Sequence, residues 1–199
     1  MAITNSRIAL LNLICTQAYQ SGTFTLSSGQ TSDYYINGKL VSLDPMGARW
    51  IGEIILDALP RSTRAVGGLT LGADPLVTAV SVVSAYGDRP IPALIVRKQP
   101  KGHGTAAWIE GQNLPPGTEV IVLEDVVTTG ASALFAAEKL IDAGYVVPKV
   151  ITLVDRNQGG ELALARAGLE LQAIYPIAEI QAHATQLKQM QEQKGLPCF

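Results

Sequence analysis

Residues 119–132 read Glu-Val-Ile-Val-Leu-Glu-Asp-Val-Val-Thr-Thr-Gly-Ala-Ser. A short, continuous apolar run at 120–123 is what a parallel strand buried on both faces looks like, and ligands gather where such strands end. This one leads into two acids, Glu124 and Asp125, and then into a loop of hydroxyls and glycine, Thr128-Thr129-Gly130-Ala131-Ser132. A helical pattern follows at 132–143. Backbone N–H groups and three hydroxyls at a helix N-terminus make an anion cradle, best suited to a phosphate. Two acids beside that cradle would repel the anion unless something neutral or cationic lay between. A ribose diol donating to the carboxylates, with a divalent metal nearby, meets both needs. A plain capping turn accounts for one hydroxyl and one glycine but not for the paired acids.

The alternation continues outward. Strands are predicted at 65–68, 93–97, 120–124, 150–155 and 169–174, and helices at 44–59, 74–85, 132–143, 160–167 and 177–193. Strands and helices in turn imply an α/β fold, a parallel sheet covered on both faces. The segment before about residue 60 departs from the alternation and is expected to form a small hood beside a core spanning about 61–199, all within one domain. Ile3, Ile8, Leu11, Ile14, Cys15 and Ala18 suit one face of an amphipathic helix, and Asn12 interrupts any leader-like apolar run. The Gln-rich last helix, with His183, reads as a solvated packing element.

Composition narrows the class. The 199 residues are 47% hydrophobic and 16% charged, which excludes a disordered chain, and a net charge of −2 without basic runs argues against nucleic acid. Nothing suggests a membrane span. Cys15 and Cys198 give no disulfide framework and point to a reducing, cytoplasmic compartment.

Three further stretches carry chemistry. Val-Arg-Lys-Gln-Pro-Lys-Gly-His-Gly at 96–104 places Arg97, Lys98, Lys101 and His103 after a strand, among glycines that allow a loop to move. Such a lid can close on a diphosphate and exclude water. Gly67-Gly68-Leu69-Thr70-Leu71-Gly72-Ala73-Asp74-Pro75 is a strand-to-helix loop, with Asp74-Pro75 as a cap and first turn and with N–H groups from Thr70, Leu71, Gly72 and Ala73 for an anion. Residues 24–36 suit a β-hairpin ending in Tyr34 and Tyr35, a flat wall for a planar ring.

Leu-Glu-Asp-Val-Val-Thr-Thr-Gly-Ala-Ser resembles the phosphoribosyl-diphosphate (PRPP) signature of the type I phosphoribosyltransferases. The Arg-Lys-x-x-Lys-x-His-Gly lid is similar to that of the orotate phosphoribosyltransferases, as is Phe24-Thr25-Leu26-Ser27-Ser28-Gly29 with its paired aromatics. The resemblance implies the type I phosphoribosyltransferase fold, a twisted, mainly parallel sheet flanked by helices with an N-terminal hood. It implies transfer of phosphoribosyl from PRPP to orotate with Mg²⁺, the metal held mainly through substrate and without direct protein ligands. PRPP would be held by Glu124, Asp125, Val126, Val127, Thr128, Thr129, Gly130, Ala131 and Ser132, by Thr70, Leu71, Gly72 and Ala73, and by Arg97, Lys98, Lys101 and His103. Orotate would meet Thr128, Arg156, Tyr34 and Tyr35, with Lys101, His103 and Asp125 catalytic. A homodimer is implied, the lid reaching into the partner's site. Ser27 and Gly72 stand where some members carry lysine, which puts more weight on Arg156 and on Lys39, a residue without an assigned place. The rivals are a purine or uracil phosphoribosyltransferase and a non-catalytic PRPP-binding regulator.

Overall fold

The structure, a computed structural model, describes residues 2–25, 31–100 and 108–193. Its main sheet holds β3 (Ala65–Leu69), β4 (Ala93–Val96), β5 (Ile109–Glu110), β6 (Val120–Val127), β7 (Lys149–Asp155) and β8 (Glu170–Pro176), with β1 (Tyr19–Thr25) and β2 (Thr31–Ile36) forming a separate antiparallel pair. The strand order is β5-β4-β3-β6-β7-β8, parallel apart from β5. From β3 the chain steps to β4 on one side, and from β6 to β7 and β8 on the other. The β3–β6 boundary is therefore the topological switch point, with a crevice beyond the carboxyl ends of both strands.

Two cores sandwich the sheet. One gathers Ile121 and Leu123 with α1 (Ala2–Leu13), α3 (Pro45–Ala58), α4 (Asp74–Ser84) and α7 (Ile177–Gln193), and it includes Tyr34 of the hairpin. The other packs Val120 and Val122 under α5 (Ala131–Asp142), with Leu164 of α6 (Gly160–Arg166). Alternate residues of β6 thus serve opposite faces, as a pleated strand requires. Short α2 (Lys39–Ser42) links the hairpin to α3. Asp44 caps α3, its Oδ1 accepting from Met46 N–H at 2.9 Å and Gly47 N–H at 2.8 Å, with Pro45 in the first turn.

Several elements differ from the sequence expectation. β6 continues to Val127, three residues past the predicted end at 124, so the two acids lie inside the strand. The N-terminal helix gives way to a π-helical turn, Ile14–Ala18, which rotates the buried face: Leu10, Leu11, Ile14 and Ala18 are buried while Ile3 and Ile8 are exposed. β5 has no counterpart among the predicted strands, because two residues carry no periodicity. Asp74 does not cap α4; that position falls to Ala73, and the Asp74 carboxylate turns back to accept from Thr70 Oγ at 2.7 Å.

Candidate active site

The signature loop closes around a small pocket of about 90 Å³ lined by Glu124 and by residues 126–133. That volume suits a compact anion, not a nucleobase. Gly130 takes a left-handed φ of +83° at the start of α5, where a side chain would be strained. Behind the loop, a Cβ on Gly160 would stand 2.3 Å from Val127 Cγ1 and 3.0 Å from the Thr128 carbonyl, so only glycine lets α6 approach this closely. Thr129, Ala131 and Ser132 are open to solvent, and the first-turn N–H groups of α5 point at the loop.

The two acids sit where the strand's alternation resets. Ile121 and Leu123 face the hood-side core, and Val126 packs there too, although strict alternation would send it to the opposite face. Glu124 is 6% exposed, and its Oε2 is buried without a hydrogen-bond partner among the described residues. Burial first, then the charge of Asp125 beside it, pushes the Glu124 carboxyl up to about 8. Asp125 accepts from the Val126 N–H at 2.9 Å and lies 3.8 Å from Lys39 Nζ. Lys39 is thus placed at the acids, and its charge favours ionised Glu124. A Cβ on Gly72 would come within 2.7 Å of Asp125 Oδ1, so the glycine at this position lets the loop after β3 lie against that carboxylate. A cis peptide joins Thr70 and Leu71 in the same loop.

The loop's anion-binding capacity is narrower than its sequence suggested. Thr70 N–H donates to the Val96 carbonyl at 2.8 Å and Ala73 N–H to the Leu69 carbonyl at 3.2 Å. Leu71 and Gly72 keep their N–H groups free of acceptors among the described residues.

On the far side of the crevice, Arg156 follows β7, its N–H bonded to the Val127 carbonyl at 2.9 Å. Its side chain leaves Asp155, whose Oδ1 takes the Asn157 N–H, and turns to the hairpin. There Nε donates to Tyr34 Oη at 2.9 Å and Nη2 to Ser32 Oγ at 3.2 Å. Tyr34 and Tyr35 do not form a shared wall, since successive residues of β2 face opposite ways. Tyr34 is buried, stacked on Tyr19 with centroids 6.0 Å apart, whereas exposed Tyr35 packs on Phe24. Arg97 stands at the stem of the predicted lid. Its Nη1 meets Glu110 at 3.0 Å and its N–H the Trp108 carbonyl at 2.8 Å, while Lys98 is exposed. Lys101, His103 and Ser27 lie outside the described residues.

A phosphate-sized loop on a switch-point strand carrying paired acids, under a hairpin hood, defines a type I phosphoribosyltransferase. Relatives narrow the class. A protein from Nostoc sp. named orotate phosphoribosyltransferase is 59% identical over 185 residues, covering 93% of this chain and 90% of its own length. The Mycobacterium tuberculosis orotate phosphoribosyltransferase, crystallised with Fe(III) dicitrate, superposes with a TM-score of 0.77 at 36% identity, over 88% of this chain and 98% of the other. The same enzyme crystallised with PRPP gives 0.73 at 34%, over 88% and 99%. No protein-family model matches. The chain belongs to the orotate phosphoribosyltransferase family.

Proposed function

We propose that this pentosyltransferase makes orotidine 5′-monophosphate for pyrimidine synthesis, in the cytoplasm, by displacing diphosphate from PRPP with N1 of orotate. The observation that carries it is the pairing, across one crevice, of a phosphate loop beside a buried acid with an arginine that has no carboxylate within 4.0 Å among the described residues. The loop at 128–132 holds the 5-phosphate, and Glu124 and Asp125 accept from the ribose hydroxyls. Leu71 and Gly72 N–H groups donate to the diphosphate, and Arg156 takes the orotate carboxylate through its planar fork. Thr128, at the loop's entry, borders both substrates. As the C1–O bond breaks and the C1–N1 bond forms, the N1 proton passes to the departing diphosphate, and in the transition state positive charge builds on the ribose and negative charge on the diphosphate. Asp125 opposes the first, and Lys98, Lys101 and His103 oppose the second.

Mg²⁺ fits the donor set, because hard carboxylate oxygens border the loop that receives the diphosphate. When bound it supplies charge neutralisation, held chiefly by substrate oxygens. A homodimer accords with an open groove of about 920 Å³ beside the site, where Leu43, Leu71, Val82 and Tyr86 are exposed. Orotate loss with PRPP and Mg²⁺, followed by absorbance against separate assays of adenine, hypoxanthine and uracil, tests the assignment. Consumption of orotate alone is expected; consumption of another base, or of none, would overturn it.

A further inference from the structure

Arg156 is a long side chain that must present a flat fork to a small acid, and a free arginine would lose considerable rotamer entropy in doing so. Its guanidinium carbon lies 4.7 Å from the Tyr34 ring centroid, while Nε donates to the same residue's hydroxyl. Nη2 reaches Ser32 Oγ, and Ser32 in turn donates to the Tyr34 carbonyl at 2.8 Å. These acceptors occupy the side edge of the guanidinium. The end edge, Nη1 with the second proton of Nη2, has no acceptor among the described residues. Tyr34 is itself packed in place: it is 5% exposed, stacked on Tyr19 and part of the hood-side core. Two neutral hydroxyls orient the cation without neutralising it, so its charge stays available to an anion.

Building on the orotate assignment above, we propose that Tyr34, assisted by Ser32, is a positioning residue. It fixes Arg156 so that the free guanidinium edge receives the substrate carboxylate, and so makes the hood a determinant of base specificity. Tyr34→Phe keeps the ring, its stacking and its face toward the cation, and removes only the acceptor. The expected result is a fall of about tenfold in kcat/KM for orotate, carried by orotate KM, with PRPP KM unmoved. In an Arg156→Ala background, Tyr34→Phe is expected to add nothing, because the side chain it positions is gone. Ser32→Ala should move the same constant in the same direction, and it carries the test if Tyr34→Phe melts well below wild type.

Equal loss for both substrates, or a Tyr34→Phe effect of undiminished size without Arg156, would overturn the proposal. A wild-type protein that ignores orotate would instead remove the functional assignment on which it rests.

Discussion

At the scale of single residues, the acid pair is the most consequential feature. Glu124 is buried inside a strand with one carboxylate oxygen unpartnered among the described residues, and its carboxyl is raised from an ordinary 4.5 to about 8, chiefly by burial. Between those values the folded chain keeps a proton that the unfolded chain has released. The associated stability is complete below the lower value and is lost as pH rises through the upper one. The melting temperature of the unliganded protein should therefore decline between about pH 5 and 8, and Glu124→Gln, which cannot titrate, should flatten that decline. Ribose hydroxyls are donors and favour the carboxylate, so PRPP should bind more tightly as pH rises over the same window. Calorimetry of both proteins across pH checks each expectation; equal slopes in wild type and Glu124→Gln would place the titration elsewhere. Lys39 belongs to the same scale. Nothing in its local sequence marks it, because what gives it meaning is Asp125, brought to 3.8 Å by the fold.

At the scale of elements, close approach of the chain to itself shapes the phosphate loop. α6 backs the loop through Gly160, and a methyl there would push on Val127 and the Thr128 carbonyl. Gly160→Ala should cost about 1–3 kcal/mol of stability by overpacking. It should also raise PRPP KM more than orotate KM, because the loop displaced is the one proposed to hold the phosphate. Chemical denaturation and steady-state kinetics separate the two effects. These elements also explain what was legible beforehand. The five core strands and their helices announce themselves through periodicity, caps and turn residues, which are local signals. The acids and the loop after them were readable as a candidate site for the same reason, being contiguous. The reach of β6 past its acids was not, because polar residues inside a strand look like its end. Nor was the tie between Arg156 and Tyr34, 122 residues apart, since nothing local connects a strand end to a hairpin. Tyr34 and Tyr35 looked like a pair because they are adjacent, yet adjacency in a strand separates side chains.

At the scale of the whole molecule, the reach of the predicted lid decides whether one chain makes a complete site. The groove beside the crevice exposes Leu43, Leu71, Val82 and Tyr86, the last 90% exposed, and it runs from Lys39 and Asp74 along α3 and α4. Apolar surface of this kind next to a site suits a second copy. On the proposed reading the lid predicted from sequence would then cross to the partner, and Lys101 and Asp125 of one site would come from different chains. Lys101→Ala and Asp125→Asn should each abolish activity alone. In a mixed dimer, one site collects both defects and the other collects neither. An equal mixture exchanging at random, half of it mixed dimers with one intact site in two, should recover about a quarter of wild-type activity. If both residues act within one chain, every site in the mixture stays defective and no activity returns. Native mass spectrometry confirming the mixed dimer makes the second outcome decisive against a shared site. Val82→Asp, placing a charge in the groove, should yield monomers and prevent recovery altogether, linking the exposed face to the chemistry it borders.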